Sequence, residues 1–198
     1  KNSLKSICER LDGHDFASTL RRFVKHTTWE DYHDDELNQT KLVDRKLDDL
    51  TESVRNDPQL LVPELSWLVC EDSSPAYCFA FRIGKDDPER FWLPKIREAY
   101  AGFRANAATS FLSGYLRAIF VTDVKEWESI MLDLADHTAT GDRFSDLVVS
   151  SGMTDPIARR VIDQCHRGFQ SKSLLERWWF DSQLQLLSEE VVKELISL

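Results

Sequence analysis

Residues 106–122, NAATSFLSGYLRAIFVT, are the most continuously apolar run in the chain, and they carry two different stripes at helical spacing. Phe111, Tyr115 and Ile119 recur every four residues, while Ala107, Ser110, Gly114 and Ala118 form a second line of small side chains at spacings of three and four. A helix with bulk on one side and small residues on another is contacted from both, so the pattern predicts a helix buried between neighbours. Glycine costs about 1 kcal/mol against alanine in a helix interior. Its presence at position 114 predicts that a second backbone passes close by.

The punctuation of the chain supplies the covering helices. Asp57-Pro58, Ser74-Pro75, Asp87-Pro88 and Asp155-Pro156 each place a capping residue before proline at the first helical position, where the missing N–H costs nothing. They predict helices over 58–70, 75–84, 88–102 and 156–168, the last three closing on a glycine suited to a left-handed cap. Pro63 and Pro94 fall inside two of these, so each kinks its helix or moves the start later by a turn. Thr40 opens a helix with Val43, Leu47, Leu50 and Val54 on one face. Asp123 caps a segment carrying Trp127, Met131 and Leu134, and Ser188 caps a last helix with Val191, Val192, Leu195 and Ile196. Before these, Leu4, Ile7, Cys8 and Leu11 and then Phe16, Leu20, Phe23 and Val24 make two short stripes split by Asp12-Gly13, which reads as a hairpin. No long strand-like alternation occurs; the nearest run, Leu147-Val148-Val149, is too short to found a sheet.

Sliding the chain on itself by 35 residues brings Phe81-Arg82 onto Leu116-Arg117, Trp92 onto Trp127 and Ile96 onto Met131, a period typical of helical-repeat arrays. With this spacing and these helix starts, the chain resembles the HEAT-like branch of α-solenoid repeat proteins. The resemblance implies stacked antiparallel hairpins with an extended surface that binds other proteins. The expected fold is therefore all-α, a HEAT-like solenoid or an irregular multi-helix array. It forms a single domain over 1–198, with an N-terminal hairpin and acidic loop in 1–39 and a helical-repeat stack in 40–198.

A formal net charge of −9 argues against wrapping nucleic acid or sitting on an anionic membrane, since both need a basic face. Cys8, Cys70, Cys78 and Cys165 form no CxxC pair and read as buried thiols of a reducing compartment. Arg104 and Arg117 interrupt the best apolar run before it reaches membrane-spanning length. A cytoplasmic protein is expected. The chain begins at Lys1 rather than Met and ends within an expected helix, 189–198, so it reads as a piece of a longer protein.

Candidate chemistry is sparse. Glu30, Asp31, His33, Asp34, Asp35 and Glu36, with His26 nearby, match no calcium loop and no zinc spacing, so no metal is expected and the segment reads as a solvated acidic patch. Cys165 and His166 are adjacent and point about 100° apart on a helix, so they cannot form a proton-sharing dyad. No catalytic motif and no cofactor signature is present. The candidate residues are instead for a protein partner. Arg82 and Arg117 occupy equivalent repeat positions, with local pairing to Asp86, Asp87 and Asp123 as the alternative. Trp178-Trp179-Phe180 are three large aromatics that one helix cannot turn inward together. Trp92 and Trp127 are expected in the core. The function expected is a non-catalytic interaction or regulatory domain. The alternative is a helical enzyme or ligand-binding domain whose site is assembled from scattered residues; a deep closed pocket with converging titratable groups would favour it, and an open face with arginine and exposed aromatics the interaction domain.

Overall fold

The computed structural model describes residues 15–25, 36–137, 140–170 and 182–198. Among the described residues there are ten α-helices and no strand. They are α1 (Phe16–Val24), α2 (Glu36–Asn56), α3 (Leu65–Leu68), α4 (Ser74–Lys85), α5 (Trp92–Gly102), α6 (Ser110–Thr122), α7 (Val124–Asp136), α8 (Phe144–Ser151), α9 (Asp155–His166) and α10 (Glu189–Ile196). The all-helical expectation holds, and the first expected helix of the chain lies outside the described residues.

Helix boundaries follow the capping chemistry with several corrections. The segment expected as one helix over 58–70 is two 3₁₀ turns, Pro58–Leu60 and Val62–Glu64, followed by the single turn of α3; Pro63 has no N–H to continue a longer ladder. The helix expected to open at Pro88 starts at Trp92, which leaves Pro94 in its first turn, where no N–H is needed. Two caps sit one residue earlier than expected, at Ser73 and Thr154, with proline at the second helical position. Of the three expected glycine caps, only Gly168 is left-handed, at φ 76°. Leu147-Val148-Val149 lies within α8, and α2 begins at Glu36, upstream of Thr40.

The central helix is α6, as the two-stripe pattern requires. Phe111, Tyr115, Ile119 and Ala118 are fully buried, and the small-residue line meets α4 backbone to backbone. A Cβ built on Gly114 would lie 3.0 Å from the Tyr77 Cα and closer still to its carbonyl oxygen; one on Gly84 would lie 2.8 Å from the Ala118 Cβ. On the far side of α6, the Tyr77 hydroxyl donates to the Ser150 carbonyl of α8 at 3.0 Å, and Trp127 of α7 donates to the Ser151 hydroxyl at 3.3 Å. The helix is thus clasped by α4, α7 and α8, and Trp92 and Trp127 are both core residues.

The two glycine contacts across this layer advance together along the chain, from Tyr77–Gly114 to Gly84–Ala118. Gly84 faces Tyr115 and Ala118, Gly114 faces Tyr77, and the Phe79 and Phe111 rings lie 6.4 Å apart. The two helices therefore run in the same direction with an offset between 31 and 37 residues. A second set links α5 and α7 and their flanks: Arg90–Glu126 at 2.5 Å, Arg97–Asp133 at 2.6 Å and Arg104–Asp142 at 3.3 Å. Successive arginines are seven residues apart, and their partners are seven and then nine residues apart.

Gly114→Ala is expected to destabilise the fold by about 3 kcal/mol, because the methyl meets backbone rather than a side chain able to move. Gly102→Ala, where a Cβ meets nothing within 4 Å, is expected to be neutral or to add up to about 1 kcal/mol. Urea denaturation of the two variants against the parent chain measures the contrast.

Candidate functional site

Arg82 of α4 reaches back across the layer to α2, its Nε donating to Asp48 at 2.7 Å and its Nη2 to Asp44 at 2.9 Å. These partners replace the local pairing with Asp86 and Asp87 that its sequence neighbourhood suggests. Arg117, its equivalent on α6, turns the other way: it donates to the Ser151 carbonyl at 3.4 Å and lies over the Phe120 ring. Asp123, its expected local partner, accepts the Glu126 N–H as the α7 cap. Two arginines in one register thus serve opposite neighbours. Trp178, Trp179 and Phe180 lie outside the described residues, as do the acidic segment over 29–35 and Cys8. Among the described residues no group of three or more potential metal ligands converges, and Cys70, Cys78 and Cys165 are thiols.

A buried polar cluster surrounds Asp87. Its carboxylate accepts the Phe91 and Trp92 N–H groups at 2.9 and 2.8 Å, capping α5, and the Tyr115 hydroxyl at 2.7 Å. Arg90, at φ 58° in the left-handed region, donates to the Asp87 carbonyl and forks onto Glu126. That backbone conformation costs a non-glycine residue about 1 to 2 kcal/mol, which the fork offsets. Burial first, and then the bond to Asp87, pushes the Tyr115 phenol well above its ordinary range. The acceptor capacity of Asp87 is taken up by the cap and by Tyr115, so the cluster is a joint between α5 and α6.

A cleft opens elsewhere, at the C-terminal ends of α7 and α9. It is a cleft of about 410 Å³ lined by Arg104, Asp136, His137, Asp142, Arg160, Asp163, Gln164, Arg167 and Phe169 among others. Three arginines alternate with three aspartates: Arg104 with Asp142, Arg160 with Asp136 and with Asp163 at 3.0 Å, and Arg167 with Asp163 at 2.9 Å. On α9 the spacing puts Arg160, Asp163, Gln164 and Arg167 at i, i+3, i+4 and i+7, one face of a helix.

Two features stand out on the cleft wall. Gln164 is 4% exposed; its Nε2 donates to the Ala135 carbonyl at 3.0 Å, while its buried Oε1 has no hydrogen-bond partner among the described residues. Phe169 is 70% exposed and is held there by the helix ending: with Gly168 left-handed, the Phe169 N–H donates to the Gln164 carbonyl at 2.9 Å and the Gly168 N–H to the Cys165 carbonyl at 3.1 Å. The cap fixes where the backbone presents this exposed phenylalanine.

None of these residues was singled out from sequence. The α9 stripe and the Gly168 cap were readable as helix features, but nothing in the spacing joins Arg104 to them across more than fifty residues. Set beside known proteins, the chain matches no family model, no curated protein and no solved structure.

Asp87→Ala is expected to cost about 3 kcal/mol at neutral pH, since it removes a helix cap and strands the buried Tyr115 hydroxyl. A phenol whose folded pKa is raised contributes stability that is intact below its unfolded value near 10 and is lost as pH rises from there toward the folded value. Tyr115→Phe should therefore flatten the fall of denaturation midpoint above pH 10 relative to the parent chain.

Proposed function

We propose that this chain is a helical-repeat interaction module, a HEAT-like stack of hairpins that holds a partner polypeptide. The observation that carries the reading is the shared offset of the cross-helix pairs: 36, 36 and 38 residues for the three ion pairs between the α5 and α7 segments, and 31 to 37 between α4 and α6. Side-by-side helices of successive repeats run parallel and repeat their contacts at the period of the unit. A period near 35 also relates Trp92 to Trp127, both buried.

The cleft supports a binding role over an assembled catalytic one. It is open, rimmed by arginine, and offers an exposed aromatic side chain, the residue types that dominate polypeptide recognition. A cytoplasmic setting belongs to the proposal and is supported by the thiol state of the described cysteines. No helix among the described residues is long and apolar enough to cross a membrane.

Panning a random peptide library against the chain tests the reading. Convergent peptides are expected, and Phe169→Ser, at a site exposed enough to leave the circular dichroism unchanged, should weaken them roughly tenfold. A library that yields no convergent peptide, or peptides indifferent to Phe169→Ser, would sink it.

A further inference from the structure

We propose, resting on the interaction reading, that the cleft between α7 and α9 receives the carboxyl terminus of the partner polypeptide. The lining is mixed rather than uniformly basic: Arg104, Arg160 and Arg167 are matched by Asp136, Asp142 and Asp163. A free dianion such as phosphate gains from the arginines and is repelled by the aspartates. A peptide end presents the complementary mixture, with carboxylate oxygens for guanidinium groups and amide N–H donors for carboxylates and carbonyls.

The individual groups match that occupant. Arg104 spends one donor on Asp142 and Arg167 one on Asp163, and each guanidinium has five. Both side chains are more than half exposed, so a second carboxylate can be taken on without dismantling the first pair. The Gln164 side-chain oxygen, Oε1, is one of four buried side-chain atoms without a hydrogen-bond partner among the described residues, and it is the one whose residue lines the cleft. A peptide amide supplies a donor for it; phosphate and acetate at neutral pH do so poorly. Phe169 at the rim gives the terminal side chain an apolar surface. A volume of about 410 Å³ lies at the small end of ligand sites, which suits a chain end rather than a segment passing through.

The test uses two pools of acetylated random hexapeptides, identical except that one ends in a free carboxylate and the other in a carboxamide. Each is passed over the immobilised chain, and retained peptide is quantified by mass spectrometry. The carboxylate pool should be retained at least roughly tenfold better, as charge-assisted hydrogen bonds to guanidinium imply. The preference should disappear in Arg104→Gln and Arg167→Gln and persist in Arg159→Gln, an arginine of α9 paired across α10 with Glu190 and Glu194. Equal retention of the two pools, with both lost in Phe169→Ser, overturns the carboxyl-terminal assignment while leaving the interaction reading standing. Retention of neither pool overturns a peptide site in this cleft. Displacement of the carboxylate pool by millimolar phosphate, unchanged by peptide sequence, makes it a simple anion site and overturns the assignment as well.

Discussion

The close approach of α4 and α6 sets the rest of the arrangement. Two helix backbones come into contact only where side chains vanish, and the Gly84, Gly114 and Ala118 positions are where they do. Once that contact is made, α6 is buried along most of its length, with only Val121 and Thr122 exposed at its end: Tyr77 of α4 reaches to Ser150 of α8, and Phe111, Tyr115 and Ile119 are buried along one stripe. The cost of glycine in a helix interior is repaid in dispersion contacts along a buried seam. It also fixes the relative translation of the two helices, because the carbonyl of Tyr77 fits against Gly114 and against no neighbour that carries a Cβ.

Around that seam, charge orients more than it stabilises. An exposed ion pair contributes about 0 to 1 kcal/mol, and most arginine pairs here are at least half open to solvent on one partner. Their value lies in specificity of register: Arg82 ties α4 to α2, the Arg90, Arg97 and Arg104 series ties the α5 segment to the α7 segment, and Arg159 ties α9 to α10. A chain of net charge −9 uses its arginines as links between acidic helices.

The fold was legible where local chemistry and periodicity agree. The two stripes of α6, the nearby backbone at Gly114, the Asp123 and Ser188 caps and the burial of Trp92 and Trp127 all follow from spacing and residue type. Errors fell where a tertiary partner outweighed a local signal. Asp87 carries the local signature of a simple N-cap before Pro88, yet its carboxylate caps a helix beginning five residues on, with Arg90 left-handed in the intervening turn and Tyr115 bonded to the same carboxylate. Arg82 found its carboxylates 34 and 38 residues upstream rather than beside it. The cleft was illegible for the same reason, since Arg104 and Arg167 are brought together only by the packing of α5, α7 and α9.

That packing joins the architecture to the cleft. Along the series between the α5 and α7 segments the arginines are 16%, 28% and 52% exposed at positions 90, 97 and 104. The first is held against the buried Asp87 joint, where loss of solvent strengthens its fork onto Glu126. The last stands on the cleft wall with most of its donors uncommitted to Asp142. One row of residues thus grades from a part-buried anchor to an exposed guanidinium on the cleft wall. The anchored end fixes the relative placement of the two segments, and with it the place of Arg104 on the cleft wall. A site built at the end of such a row needs no dedicated loop, since the contacts that align the helices also aim the guanidinium.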